Sequence, residues 1–158
     1  MAQITAQITI DAPIQTCFDL ARDAAFHVES ARQTSERIVA GRKSGLFELG
    51  DEVTFEAKHL GVRQRLSARI IEMNAPRGFT DQMTRGVFQS MRHEHRFETT
   101  ENGQTQMSDI ITWRSPLGIL GVCADKIIVE RHLLHFLWNR AQKIKARAED
   151  STKNQGLC

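Results

Sequence analysis

The sequence predicts an α+β fold in which a curved antiparallel sheet of about seven strands wraps around one long C-terminal helix. Segments of alternating apolar and polar residues recur between turn signals from residue 36 to residue 113. This pattern is typical of strands with one buried face. After residue 115 the apolar spacing becomes helical. The predicted element order is one strand, two short helices, six strands and a final helix.

Length and composition indicate one globular domain. The chain has 158 residues, of which 41% are hydrophobic and 25% charged. We assign residues 1–149 to this domain and residues 150–158 to a disordered tail. The net charge of +2, without basic runs interleaved with aromatic residues, argues against nucleic-acid binding.

The sequence also bears on the cellular compartment. No apolar run approaches the roughly 20 residues that cross a bilayer, so we expect no integral membrane association. The N-terminal residues lack the pattern of a signal peptide. The three cysteines are widely spaced, without a CxxC motif. We therefore expect reduced thiols in a cytoplasmic protein.

The N-terminal region predicts a strand followed by two short helices. Apolar residues of the strand alternate with polar ones at Ile4, Ala6, Ile8 and Ile10. Asp11 and Pro13 are typical of a helix start, and the helix that follows carries Cys17 and Phe18 on its apolar side. A second short helix is predicted from about Ala24 to Ala31.

The next hairpin can be registered from the sequence. If Leu60-Gly61 is a two-residue turn, Phe55 pairs with Leu66 and Val53 with Ala68 on a mostly apolar face. On the opposite face Glu56 meets Arg65 and Glu52 meets Arg69, which adds roughly 0.2–1 kcal/mol for each pair. A slip of one residue would bury the arginines.

The outer face of the predicted sheet is rich in arginine, at Arg63, Arg65, Arg69, Arg92 and Arg96. One interpretation is a surface that contacts an anionic membrane or a protein. The interleaved Glu52, Glu56 and Glu94 favour a solvated face with ion pairs.

Three more strands are predicted at Phe79–Thr84, Phe88–Thr100 and Gln104–Trp113. A three-residue loop at Glu101–Gly103 places His95 opposite Asp109 and His93 opposite Ile111. A four-residue loop would instead place His95 opposite Ile110. We prefer the first register because it gives a buried histidine a carboxylate partner.

The last element is a long helix that Ser115 caps and Pro116 opens. It is predicted to end at about Glu149. Its apolar positions follow helical spacing: Ala124, Ile127, Leu134, Leu137 or Trp138, Ala141 and Ile144. Charged residues, Arg140 among them, lie mainly between these positions.

The strongest functional signal is a pair of histidines on an apolar strand face. His93 and His95 alternate in phase with Phe97, so the imidazoles point inward. With Asp109 and His59 they are expected to form a polar patch. The patch has three interpretations: a structural network between strands, a ligand contact, or general acid–base catalysis.

Asp81 is a second candidate carboxylate. It alternates with Phe79 and Met83, which places it inward if they face the core. The alternative is an aspartate at a strand end, paired with Arg85 or in contact with solvent.

The same pattern bears on metal binding. Two histidines at positions i and i+2 with a carboxylate can bind zinc or another divalent ion. The sequence shows no dedicated fourth ligand, so we predict no metal and no cofactor.

Several motifs resemble the START-like, Bet v 1-like superfamily, also called helix-grip or SRPBCC proteins. They are Ile10-Asp11-Ala12-Pro13 with Cys17-Phe18, Phe79-x-Asp81, Gly86-x-Phe88, Arg92-His93-Glu94-His95-Arg96-Phe97, Asp109, and Pro116-Leu117-Gly118-x-Leu120-Gly121-x-x-Ala124-Asp125. Within the superfamily the chain looks most like an uncharacterised bacterial branch grouped with polyketide cyclase/dehydrase and lipid-transport proteins. Met91 departs from the pattern, which has an aromatic residue there.

This resemblance implies a cavity for a small hydrophobic or lipid-like ligand between the sheet and the C-terminal helix. The residues expected to line the core or the cavity, and hence to include the ligand contacts, are Phe55, His59, Leu66, Phe79, Asp81, Met83, Phe88, His93, His95, Met107, Trp113, Ile127, Leu134 and Trp138.

The leading hypothesis is therefore a binding or transport protein rather than an enzyme. The first alternative is a cyclase or dehydratase that uses His93, His95 and Asp109 as acid–base groups. The second is a protein-interaction module that uses the arginine face. The sequence does not decide the oligomeric state, although an edge strand near residues 36–42 could support a homodimer.

Overall fold

The computed structural model of the protein describes residues 1–116 and 128–155. Within these residues an antiparallel sheet has the strand order β1-β7-β6-β5-β4-β3-β2, which confirms the predicted fold class. Its seven strands are β1 Ala2–Ile10, β2 Arg37–Gly41, β3 Glu52–His59, β4 Val62–Asn74, β5 Gly78–Arg85, β6 Ser90–Thr99 and β7 Thr105–Arg114. β2 lies at an edge of the sheet, where the sequence analysis placed a surface for a homodimer.

Helices cover the concave face of the sheet. They are α1 Ile14–Arg22, α2 Ala24–Ser30, a 3-10 turn at Arg32–Thr34, and α3 Glu130–Gln155. α3 packs on β1, α1 and α2. It runs past Glu149 to Gln155, so residues 151–155 are helical and not part of a disordered tail. The predicted helix start after Pro116 lies outside the described residues.

No helix in the described part of the chain has an apolar stretch that could cross a membrane.

The two predicted hairpin registers are confirmed. β3 pairs with β4 through Phe55–Leu66 and Glu56–Arg65. Both turn residues have positive φ angles, 52° at Leu60 and 79° at Gly61, as a tight two-residue hairpin turn requires.

β6 pairs with β7 in the register that places His95 opposite Asp109 and His93 opposite Ile111. Gly103 adopts the left-handed conformation with φ 78°, which permits the three-residue loop. The preference for a buried histidine–carboxylate pair therefore identified the correct register.

Irregularities in the ladder between β4 and β5 bend the sheet. The register shifts between Ser67 and Ala68, and again between Ile70 and Glu72. Extra residues of this kind bend a strand and increase its twist. We attribute part of the curvature around α3 to these shifts.

Two packed clusters hold the sheet against the helices. In the first, Phe18 makes edge-to-face contacts with Phe79 and Phe97, with ring centroids 6.0 and 5.9 Å apart. Met107 belongs to this cluster. In the second, Trp113 packs with Leu137 and the neighbouring side chains of β1 and β6.

Candidate functional site

A cavity of about 240 Å³ lies between the concave face of the sheet and α3. It reaches the surface near Leu60 and Val87, which line it and are 55% and 48% exposed. Of the residues predicted to contact a ligand, those that line the cavity are Phe55, His59, Leu66, Phe79, Asp81, Phe88, His93 and His95.

Other predicted residues lie elsewhere. Met107 and Trp113 are completely enclosed in the two core clusters and do not line the cavity. Met83 packs over Gly86, where an added Cβ would lie 2.5 Å from its sulfur. Alternation identified these residues as inward, but the space beside them is filled by other side chains.

On α3, the predicted Leu134 and Trp138 line a surface groove together with Leu60 and Ile128. Leu137 is fully buried while Trp138 is 41% exposed. Helical spacing alone left Leu137 and Trp138 as alternatives, and Leu137 is the inward one. Ile127 lies outside the described residues.

The predicted histidines and aspartates meet on three adjacent strands. Asp81 pairs with His93 across β5 and β6, and His95 pairs with Asp109 across β6 and β7. Because these residues share the inner face of the sheet, their side chains converge. We call Asp81, His93, His95 and Asp109 the inner polar cluster.

Each imidazole of the inner polar cluster lies between two carboxylates. Asp81 Oδ2 is 3.3 Å from His95 Nε2 and 3.8 Å from His93 Nδ1. On the opposite side, Asp109 Oδ1 is 2.6 Å from His95 Nδ1 and 3.3 Å from His93 Nε2. Asp81 is therefore a cavity carboxylate and not a partner of Arg85.

The surroundings restrain these rings. Phe79 stacks on His95 with centroids 4.1 Å apart, and the two imidazole centroids are 3.8 Å apart. Asp109 is 1% exposed and His95 3% exposed. Although Asp109 approaches both rings closely, neither of its oxygens has a hydrogen bond to the described residues, and the same holds for His93 Nε2 and His95 Nδ1. Buried groups of this kind call for an explanation.

The electrostatics of the two histidines differ. Burial lowers the pKa of His95, but Asp109 and Asp81 outweigh this effect, so the pKa is raised. Burial and the neighbouring His95 lower the pKa of His93. Burial raises the pKa of Asp109, yet the two imidazoles hold it well below its ordinary value. The cluster thus favours the protonated form of His95, the neutral form of His93 and the ionised form of Asp109.

His59 was expected to join His93, His95 and Asp109 in one polar patch, and this expectation was wrong. Its Nδ1 lies 2.9 Å from Nε2 of His132 on α3. Burial, followed by the charge of His132, lowers the pKa of His59. The pair lies near the mouth of the cavity, beside Phe136.

A second polar group lines the cavity and was not predicted from the sequence; it is formed by Arg140, His27 and Glu36. Arg140 is 2% exposed and donates from Nη2 to the carbonyl oxygen of Ala21, 2.8 Å away. His27 Nε2 lies 2.7 Å from Glu36 Oε1, and its ring stacks on Phe55. Burial, followed by the charge of Arg140, lowers the pKa of His27.

A sequence signal for Arg140 was present. Arg140 follows the buried Leu137 by three residues and precedes the buried Ile144 by four, so it lies on the inner stripe of α3. Its charge suggested a solvent-facing position, and this interpretation was wrong.

The inner polar cluster could also hold a metal ion. Asp81, His93 and His95 each offer one ligand atom, and the three atoms lie within 4.8 Å of one another.

Comparisons with known proteins concern the fold. No family model matches the chain. No curated protein matches it either. Among solved structures it is similar to the protein TTHA0849 from Thermus thermophilus, with a TM-score of 0.76 and 17% identity over 95% of this chain and 99% of that one.

Two further solved structures have TM-scores of 0.69 and 14% identity. Major latex-like protein 151 from Panax ginseng matches over 93% of this chain and 97% of its own. Protein Ms6760 from Mycobacterium smegmatis matches over 94% of this chain and 92% of its own. At these identities the likeness concerns the fold alone, and the chain has the Bet v 1-like helix-grip fold that its motifs predicted.

Proposed function

We propose that the protein binds a small hydrophobic ligand in the cavity between the sheet and α3. The observation that carries this proposal is the cavity itself, whose wall is mostly aromatic and aliphatic, with a few polar groups. Ligand pockets commonly combine an apolar wall with a few polar groups that orient the ligand. The resemblance to START-like proteins leads to the same expectation. We also propose that the protein is cytoplasmic.

The cavity also suggests the kind of ligand. Its volume of about 240 Å³ lies just below the range of about 300–1,000 Å³ that is typical of small-molecule pockets. A compact ring system or one short chain fits this volume better than a two-chain lipid. Because Arg140, Asp81, His93 and His95 contribute to the wall, the ligand should carry at least one hydrogen-bonding group.

Filling the cavity tests this proposal. Ala57 and Ala68 lie on neighbouring strands, are buried, and line the cavity. Ala68→Phe and Ala57→Phe should each lower the affinity for ANS, a fluorescent probe with an aromatic body and a sulfonate group, at least tenfold, because the new ring occupies the space of the probe. Ala40→Phe is the matched control, since Ala40 is exposed on β2.

Circular dichroism establishes which variants are folded. If folded Ala68→Phe and Ala57→Phe bind ANS as tightly as the wild type, the cavity is not the binding site. Native mass spectrometry of the wild type, purified gently from its own host, would identify a ligand that co-purifies.

An enzyme of cyclase or dehydratase type is the second candidate. It is favoured by the position of His93 and His95 in the cavity wall, each ring between two carboxylates. The co-purified ligand distinguishes the two functions. A carrier with His95→Gln returns this ligand unchanged but binds it less tightly, whereas an enzyme keeps its affinity and loses conversion of the ligand.

A further inference from the structure

We propose that Asp81, His93 and His95 form a binding site for one divalent transition-metal ion in the cavity wall, with Asp109 orienting both imidazoles. The site does not depend on the identity of the hydrophobic ligand. Its donors are one carboxylate oxygen and two imidazole nitrogens, one from each residue. Such a set suits zinc or iron better than magnesium or calcium, which prefer oxygen ligands.

The donor atoms are spaced for a shared ion. Two ligands that bind one tetrahedral zinc at about 2.0–2.1 Å lie roughly 3.3 Å apart. Asp81 Oδ2 and His95 Nε2 are separated by 3.3 Å. Asp81 Oδ2 and His93 Nδ1 are separated by 3.8 Å, and one ligand atom from each of the three residues lies within 4.8 Å of the other two.

Asp109 supplies the outer shell of this site. The nitrogens on the other side of the rings from Asp81 are His95 Nδ1 and His93 Nε2. They lie 2.6 and 3.3 Å from Asp109 Oδ1 without making a hydrogen bond to it. Metal-binding histidines usually donate their second N–H to a carboxylate, which fixes the tautomer and the ring orientation. A bound ion would hold both rings in the tautomer that directs N–H toward Asp109. In that arrangement the rings would supply the donors that the buried Asp109 oxygens lack among the described residues.

The site also explains the contact between the two imidazoles, whose centroids are 3.8 Å apart. One metal ion can accept a lone pair from each of two imidazoles that lie this close together.

Three protein ligands leave at least one coordination position open. Asp81, His93 and His95 all line the cavity, so this position faces the ligand space. Zinc sites with three protein ligands and an open position are common. The prediction of no metal rested on the absence of a fourth protein ligand. A site of this type does not need one.

The His59–His132 pair provides an internal control. It brings two ring nitrogens within 2.9 Å of each other. Among the described residues, however, the three side chains whose ligand atoms are close enough to share one ion are Asp81, His93 and His95. The pair could bind metal weakly, so it must be separated from the proposed site by mutation.

The experiment is a calorimetric titration of the full chain with Zn²⁺ after treatment with a chelator and dialysis, repeated with Co²⁺ and visible absorption spectroscopy. We expect one ion per chain and a Co²⁺ absorption band. Asp81→Asn and His95→Gln should weaken Zn²⁺ binding at least 100-fold, and Asp109→Asn roughly 10- to 100-fold. His59→Gln combined with His132→Gln should leave the affinity unchanged.

Histidine-ring nitrogen NMR on the wild type, with and without Zn²⁺, avoids dependence on the folding of the variants. The signals of His93 and His95 should shift, and those of His59 and His132 should not. The proposal is overturned by no stoichiometric binding, by wild-type affinity in folded Asp81→Asn, by loss of binding in the His59/His132 variant, or by unchanged His93 and His95 signals. Because ANS binding is measured without metal, failure of the metal site is distinguishable from failure of the carrier function.

Discussion

Glu56 on the outer face of the sheet and Asp109 on the inner face are both carboxylates held among cationic or protonatable side chains. Glu56 accepts hydrogen bonds from Arg37, Arg63 and Arg65. These hydrogen bonds, chiefly the one from Arg65, lower the pKa of Glu56 to about 2. Asp109 lies close to His93 and His95 but makes no hydrogen bond to the described residues.

The difference between the two carboxylates follows from the exposure of the side chains around them. The three arginines are long, and 62–69% of each side chain is exposed, so their guanidinium groups can turn until Glu56 is fully hydrogen-bonded. The inner histidines are short and confined by Phe79 and the neighbouring strand. The outer group is thus complete, which favours a solvated face over a docking surface, whereas the inner group keeps unused hydrogen-bonding and metal-binding capacity.

The largest effect is expected from Asp109→Ala. This change removes the nearest carboxylate from His95 in a buried site, and breaking a buried pair of this kind typically costs about 3–5 kcal/mol. Urea denaturation at neutral pH measures the free energy of unfolding. Asp109→Asn is the control, since it keeps the shape and should cost less. A loss below about 1 kcal/mol in Asp109→Ala would show that Asp109 contributes no more to stability than an exposed ion pair does.

An intermediate effect is expected on the acid sensitivity of stability, through Glu56. The pKa of Glu56 is about 2 in the folded protein against an ordinary value of 4.5. A lowered folded pKa gives stability that is present above the ordinary value and lost as the pH falls through the folded one. Glu56→Gln should therefore remove part of the decline in stability between about pH 4.5 and pH 2.

Urea midpoints of the wild type and of Glu56→Gln across this range test the expectation. The difference between the two proteins should shrink as the pH falls. A difference that stays constant from about pH 6 to about pH 2.5 would contradict the assignment of the low pKa to Glu56.

The smallest effect is expected from Arg65→Ala. Glu56 keeps its hydrogen bonds from Arg37 and Arg63. Glu56 is buried, but the Arg65 side chain is 69% exposed, so we expect the pair to contribute about 0–1 kcal/mol, as surface ion pairs do. The loss of stability should be within this range and should decrease in about 1 M NaCl. Arg69→Ala, which breaks a separate exposed pair with Glu52, is the matched control. A loss above about 2 kcal/mol that does not respond to salt would contradict the picture of a solvated face.

Much of the sheet could be predicted because local and cross-strand signals agree. The turn at Leu60-Gly61, the apolar alternation and the opposed charges of Glu56 and Arg65 all select one register. The convergence of His95 and Asp109 followed from the length of a single loop. These features depend on residues that are close in sequence or directly paired.

The predicted lining of the cavity was less accurate, and Arg140 shows why. A charged residue on a helix is usually solvated, and only the packing of α3 against α1 gives its guanidinium a buried acceptor, the Ala21 carbonyl oxygen. Met107 and Trp113 show the converse case. Alternation placed them inward, but it cannot distinguish an inward residue in a filled core from one beside an open space.

The sequence by itself therefore determined the order of the elements, the hairpin registers and the inward direction of His93 and His95, because side-chain alternation and turn chemistry are local. Only the tertiary structure decided where the cavity lies, that Asp81 joins the histidines, and that Arg140 enters the wall. These outcomes depend on the curvature of the sheet and on the position of α3, which arise from the packing of the whole chain.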